Sequence, residues 1–264
     1  MSRLPVWFEA RGAGPVIIFP CRTRKEHADL AERLADRFRV VRYLPRHVTG
    51  IDAPEGDAED WVTWEEQEDG PAFWGGKPIE DFPVELEVAD LHRVADEAGA
   101  ARFVLAGYSG TAALAAFLAP LTPRAAGLLA GGFPILGSKE YWMGSAEGAR
   151  LAYLTAGLRA LADNAFATAL MYRAWHDRDD RPALTALPGP KIVWYGANDG
   201  EPGCLLHESR PGIRLARRLR ETRAELEACG VTVLELPGLD HLSVQAAPDT
   251  VAARLRVLLA GRTW

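Results

Sequence analysis

The segment 103–114, FVLAGYSGTAAL, constrains the fold most, because an apolar strand runs into a Gly-x-Ser-Gly turn and then directly into a helix of small residues. Such a turn holds Ser109 in a strained backbone conformation, with its hydroxyl exposed above the strand end. The helix that begins near Gly110 directs free backbone N–H groups toward the same place. The pattern therefore indicates a nucleophilic serine, although a Gly-Ser turn of this kind can also be purely structural.

The rest of the chain alternates short apolar runs with segments of helical period, which is typical of parallel strands joined by helices. The last segment carries an apolar stripe of Val251, Leu255 and Leu258, and we expect this helix to close the far edge of the sheet. The sequence thus predicts an α/β fold with a mostly parallel central sheet flanked by helices. The predicted strands lie at 6–9, 16–19, 39–43, 102–106, 125–130, 192–195 and 231–235.

Residues 137–187 interrupt this alternation, because they are rich in Ala, Leu and large aromatic residues and contain no convincing strand. We predict that they form a helical insertion in a core domain made of residues 1–136 and 188–264. The aromatic residues of the insertion predict a largely apolar pocket lined by Trp142, Met143 and Trp175. Packing of the inserted helices against the core explains the same residues equally well. The acidic segment 52–69 is interpreted as a surface loop.

A serine hydroxyl becomes a good nucleophile when a base removes its proton and an acid orients that base. His241 follows the predicted strand at 231–235, in the loop PGLDHL, and Asp199 follows the preceding strand, in the turn YGANDG. Both therefore lie where the C-terminal ends of parallel strands meet. Asp240 is a competing acid, but adjacent residues rarely direct both side chains to one point. We predict a catalytic triad of Ser109, Asp199 and His241.

The order of these three residues and their local sequences resemble the α/β-hydrolase superfamily over almost the whole chain. The resemblance begins at 8–16, FEARGAGPV, which is similar to the hairpin that opens many members, and extends to the LDH sequence that ends at His241. It implies that Ser109 is the nucleophile, Asp199 the acid and His241 the base. It also implies that the insertion is the helical cap of the family and that the activity is that of a serine hydrolase.

Two positions depart from the pattern of the family. Position 111 is Thr, where the family commonly has Gly, and this change predicts a somewhat altered turn. The sequence FPCR stands where members often have His-Gly before the loop that supplies the oxyanion hole. Because Pro20 has no N–H, we expect the backbone N–H of Gly110 to pair with that of Cys21 or of Arg22. The Arg22 side chain is interpreted either as solvent-facing or as a site for a substrate carboxylate.

The expected function is hydrolysis of an ester, thioester or amide of a small, largely apolar substrate through an acyl-enzyme on Ser109. An acyltransferase, a cyclase or a lyase can use the same triad, and some proteins of the family bind small molecules without converting them. The sequence contains neither a dinucleotide fingerprint nor a phosphate-binding loop, so no organic cofactor is expected.

Charge and cysteine content exclude several other classes of protein. The net charge of −6 argues against a nucleic-acid partner, and no run of about 18 uncharged apolar residues predicts a membrane span. The three cysteines are too widely spaced for a zinc pair and indicate a reducing compartment. We therefore expect a cytoplasmic protein with a small-molecule substrate and no metal, while its oligomeric state stays open.

Overall fold

The computed structural model describes residues 6–45, 81–137, 139–204, 207 and 214–264; the acidic segment 52–69 lies outside these residues. Within them, seven strands form one sheet in the order β1-β3-β2-β4-β5-β6-β7. All neighbouring strands are parallel except β1, which is antiparallel to β3. The strands are β1 (Phe8–Arg11), β2 (Val16–Pro20), β3 (Arg39–Tyr43), β4 (Phe103–Tyr108), β5 (Ala125–Gly131), β6 (Lys191–Gly196) and β7 (Thr232–Leu236).

Helices connect these strands, which confirms the predicted α/β architecture. Between β2 and β3 lies α1 (Ala28–Leu34), and before β4 lies α2 (Val84–Glu97). Between β4 and β5 lie α3 (Gly110–Leu118) and a short 3-10 helix (Ala119–Leu121). The segment between β5 and β6 contains α4 (Lys139–Thr155), α5 (Arg159–Trp175) and α6 (Arg181–Ala186). Further along the chain are α7 (Leu215–Glu221), α8 (Arg223–Ala228), α9 (His241–Gln245) and α10 (Pro248–Leu259).

The central strands are apolar along their whole length because helices cover both faces of the sheet. Every residue of β2, β4 and β5 is buried. Alternate side chains of each strand enter two separate clusters: Leu105 belongs to the cluster under α2 and α3, and Val104 to the cluster under α1 and α10. The sheet is therefore the rigid base from which the loops at its C-terminal edge project.

The C-terminal helix lies elsewhere than the sequence predicted. Val251 and Leu255 of α10 are buried in one cluster with Ile17, Val104 and Ile192, which lie on central strands. The helix thus packs across the face of the sheet beside α1, and the prediction that it closes the far edge is wrong. An apolar stripe shows that a helix has a buried face, but it carries no information about which strands that face covers.

The inserted segment is helical in the residues described, as its composition predicted. The helices α4 and α5 are joined at Leu158, whose N–H donates to the Tyr153 carbonyl. Of their side chains, Leu170, Met171 and Trp175 are buried in the cluster that also holds Phe117. In the described part of the chain, no helix combines the length and the apolar character needed to cross a bilayer.

Candidate active site

Ser109 lies between β4 and α3 with φ +57° and ψ −127°, a backbone conformation that L-residues rarely adopt. The turn is tight because Gly107 lets the helix approach the strand: a Cβ at Gly107 would lie 2.5 Å from the carbonyl carbon of Thr111. The N–H of Ser109 donates to the Gly131 carbonyl at 2.7 Å. These contacts hold the serine, which is partly exposed, at the C-terminal edge of the sheet.

Thr111 lies in the first turn of α3, directly after this strained turn, and the effect of threonine on the turn relative to the family stays a prediction. Its hydroxyl donates to the Tyr108 carbonyl at 2.8 Å and accepts from the Tyr108 N–H at 3.1 Å. The Nε2 atom of His27 lies 2.8 Å from the same oxygen. A threonine is accommodated here because its buried hydroxyl is fully hydrogen-bonded. Those bonds connect the end of β4 to the first turn of α3 and so stabilise the turn.

The structure brings the three predicted residues together in one hydrogen-bonded chain. His241 Nε2 lies 2.9 Å from Ser109 Oγ, and His241 Nδ1 lies 2.9 Å from Asp199 Oδ2. A carboxylate only accepts hydrogen bonds, so Nδ1 carries the proton and Nε2 is left free to accept the serine hydroxyl. This tautomer is the one that a general base needs.

Burial shapes the electrostatics of this chain. Asp199 is fully buried, and desolvation raises the pKa of its carboxyl group, while the hydrogen bond and charge of His241 act in the opposite direction. Its other oxygen, Oδ1, has no hydrogen-bond partner among the described residues. Because a buried carboxylate is stable only when it is hydrogen-bonded, the bond to Nδ1 stabilises the ionised Asp199 and holds the imidazole in one orientation.

Tyr108 and Gly132 position His241, and sequence reasoning missed both. The Tyr108 hydroxyl donates to the His241 carbonyl at 2.7 Å, and burial raises the pKa of this phenol, which keeps it a donor. Gly132 has φ +57°, and a Cβ there would lie 2.7 Å from Tyr108 Cζ and 3.0 Å from His241 Cε1. The only sequence signal for this close approach is the Gly-Gly pair that ends the strand at 125–131.

Asp240 has a different role from Asp199. It is the N-cap of α9, and its Oδ1 accepts from the Ser243 N–H at 2.8 Å and from the Ser243 hydroxyl at 2.5 Å. The Ser243 hydroxyl in turn lies 2.7 Å from the Asp240 N–H, which completes a capping box. This carboxylate is therefore directed into its own helix, which begins at His241.

The predicted oxyanion hole needs one correction. The Cys21 N–H donates to the Tyr43 carbonyl at 2.8 Å, as part of the pairing between the second and third strands, so it is not available to a substrate. Cys21 is also fully buried, and burial raises the pKa of its thiol, which makes it unreactive. The Arg22 N–H, the other predicted donor, lies 2.5 Å from Glu26 Oε2. Gly110 begins α3, and its backbone is exposed beside Ser109.

The predicted substrate residues have different surroundings. Trp175 is fully buried, its ring contacts those of Phe117 and Phe133, and its Nε1–H donates to Asp180, so its prediction as a pocket-lining residue is wrong. Its apolar ring and single donor are both satisfied inside the protein. Trp142 and Met143 are only partly buried and pack against the same cluster.

The described residues form a cavity and a cleft, and the triad lines neither of them. A cavity of about 150 Å³ has His27, Tyr108, Trp194 and Val251 among its lining residues. A cleft of about 430 Å³ lies near Lys139, Arg178 and Arg218. Within the described ranges, no group of three or more His, Cys, Asp or Glu side chains is arranged to hold a metal ion.

Comparison with solved structures identifies the architecture. A structure from a study of carboxylesterases of Nitrososphaera gargenis superposes with a TM-score of 0.62 at 14% identity, over 97% of this chain and 94% of the other. An enol-lactonase from Burkholderia xenovorans superposes with a TM-score of 0.57 at 17% identity, over 96% of this chain and 96% of the other. An α/β hydrolase from Sphaerobacter thermophilus superposes with a TM-score of 0.57 at 20% identity, over 97% of this chain and 96% of the other. No protein-family model and no curated protein matches the sequence.

Proposed function

We propose that this chain, which has the α/β-hydrolase fold, is a serine hydrolase that cleaves an ester, thioester or amide of a small, largely apolar substrate. The observation that carries the proposal is the hydrogen-bonded chain from Ser109 Oγ through His241 to Asp199, with 2.9 Å at each step. A buried acid, a base in the right tautomer and a partly exposed serine are what nucleophilic acyl transfer needs.

In the first step, His241 Nε2 takes the proton of Ser109 while Oγ attacks the carbonyl carbon of the substrate. The imidazolium that forms is stabilised by Asp199, and it then donates its Nε2 proton to the leaving group. The serine lies at the N-terminus of α3, and the dipole of that helix and its free N–H groups favour the negative charge that develops on the carbonyl oxygen.

In the second step, water enters the position of the leaving group and gives its proton to His241. Attack on the acyl-enzyme releases the acid and returns the proton to Ser109. The names of the similar structures, which include carboxylesterases and an enol-lactonase, support water as the acceptor. The partly buried Trp142 and Met143 are proposed to contact the apolar part of the substrate.

Turnover of p-nitrophenyl acetate and butyrate tests this proposal. We expect the wild-type protein to release p-nitrophenol and the free acid, and Ser109→Ala to lose at least about 10³-fold in kcat. Retained turnover in Ser109→Ala would refute the role of the serine. Addition of an alcohol to the same assay distinguishes a hydrolase, which forms the acid, from an acyltransferase, which forms a new ester.

A further inference from the structure

We propose that the guanidinium group of Arg22 is the second donor of the oxyanion hole and replaces the backbone N–H that normally fills this role. The inference rests on the proposed function, since an oxyanion forms only if Ser109 attacks a carbonyl group. It assigns to a side chain of the loop after β2 a direct contact with the reacting oxygen.

The first argument is that the three residues that end β2 and begin the loop offer no free backbone N–H. Pro20 has none, and the Cys21 N–H is bound to the Tyr43 carbonyl. The Arg22 N–H is bound to Glu26 Oε2 at 2.5 Å, and the Glu26 side chain is only 6% exposed. A substrate oxygen would have to displace a buried, charge-assisted acceptor to reach that donor.

The second argument is the position of the guanidinium group. Arg22 Nε and Nη2 donate to Glu26 Oε1 at 3.1 Å and 2.6 Å, so Glu26 holds one edge of the group. Its remaining nitrogen, Nη1, lies 3.8 Å from the position that a Cβ at Gly110 would take, and it is the nearest heavy atom there outside Gly110, its chain neighbours and its own helix backbone. Nη1 thus lies beside Gly110, the residue that follows Ser109 in the chain and whose N–H is the first donor.

The third argument concerns charge. A guanidinium group stays protonated throughout the reaction and presents its N–H groups in a fixed plane. A charged donor binds a developing oxyanion more strongly than a neutral amide does. The Arg22 side chain is about half exposed, so a substrate has access to it, while the ion pair with Glu26 limits its motion before the substrate arrives.

The test compares p-nitrophenyl butyrate hydrolysis by wild type, Arg22→Ala, Arg22→Met and the double variant Arg22→Ala/Glu26→Ala. We expect both single variants to lose about 10²-fold in kcat with little change in KM, because the contact forms in the transition state. The double variant removes the Glu26 carboxylate and so frees the backbone N–H of position 22. We expect its kcat to stay low, because the guanidinium group that the inference requires is still missing. Arg37→Ala removes a guanidinium group next to the N-terminal end of β3, away from the site, and should match wild type.

Two results would overturn the inference while leaving the proposed function intact. One is wild-type kcat in Arg22→Ala or Arg22→Met. The other is recovery of wild-type kcat in the double variant, which would identify the backbone N–H as the donor and Glu26 as its block. If wild type itself does not cleave the ester or react with a fluorophosphonate, the proposed function fails and this inference fails with it.

Discussion

The Nε2 atom of His27 lies 2.8 Å from the Oγ1 atom of Thr111, and this hydrogen bond joins the loop after β2 to the first turn of α3. Thr111 directs its one hydroxyl proton to the Tyr108 carbonyl, so His27 is the donor and carries its proton on Nε2. His27 also has φ +62°, a conformation that costs free energy and persists where surrounding contacts enforce it. The bond connects the two segments that carry Arg22 and Gly110.

The first prediction concerns stability at low pH. Burial lowers the pKa of His27 from its usual 6.5 to about 4. Between these values the unfolded chain binds a proton that the folded protein excludes, so the free energy of unfolding falls as the pH falls. We expect His27→Gln to reduce this fall, measured by urea unfolding at about pH 7 and about pH 4.5. An equal fall in both proteins would show that the folded state accepts the proton.

The second prediction concerns Gly132. An alanine there would have its Cβ 3.0 Å from His241 Cε1 at a positive φ, so the imidazole must move. The 3.0 Å contact requires a shift of a few tenths of an ångström, and because a displacement of about 1 Å at a reacting group costs about 10²-fold, we expect a smaller loss of about 10-fold in kcat. Gly144→Ala is the matched control, because a Cβ at this position in α4 meets nothing within 4 Å. Equal kcat in the two variants would contradict the role of Gly132.

The third prediction separates the two acids beside His241. We expect Asp199→Asn to lose about 10³- to 10⁴-fold in kcat, because an amide favours the wrong imidazole tautomer. Asp240→Asn should keep most of the activity, because asparagine also caps helices well. Steady-state kinetics on the two variants decides the assignment. The reverse order of effects would make Asp240 the acid.

The fourth prediction concerns the two tryptophans of the insertion. Trp175→Ala removes a fully buried ring and leaves Asp180 without its indole donor, so we expect a loss of about 3–5 kcal/mol in the free energy of unfolding. Trp142→Ala removes a partly buried ring, which should cost less stability and raise KM for butyrate esters more than for acetate esters. Urea unfolding and kinetics on both variants test this, and a common pattern in the two would contradict the distinction.

The sequence predicted the sheet and the three residues of the site because their signals are local. Most strands are apolar runs between turns, and Ser109, Asp199 and His241 each follow a strand of their own. Parallel strands place their C-terminal ends at one edge, so the order of these residues along the chain was enough to predict that they meet. Asp199 was predicted as the acid in place of Asp240 because Asp240 is adjacent to His241, and adjacent residues rarely direct both side chains to one point.

Other features depend on particular hydrogen bonds that carry no sequence signal. From the sequence, the Cys21 N–H is a candidate donor of the oxyanion hole, but in the structure it is bound to the Tyr43 carbonyl. The sequence likewise gives no sign that Glu26 accepts the Arg22 N–H. Trp175 and Trp142 look alike in the sequence, yet the Trp175 indole N–H donates to the buried Asp180 carboxylate and its ring contacts those of Phe117 and Phe133. Tertiary packing determines which of these groups are free and which are buried, and hydrophobic periodicity carries no information about that packing.

The most direct test of the central claim is the intact mass of the protein after exposure to a fluorophosphonate. This reagent reacts with a serine that a neighbouring base activates, and it needs no knowledge of the natural substrate. We predict one adduct on wild type, located by proteolysis on the peptide that contains Ser109, and none on Ser109→Ala. An adduct on both proteins, or on neither, would contradict the assignment of Ser109 as a nucleophile activated by His241.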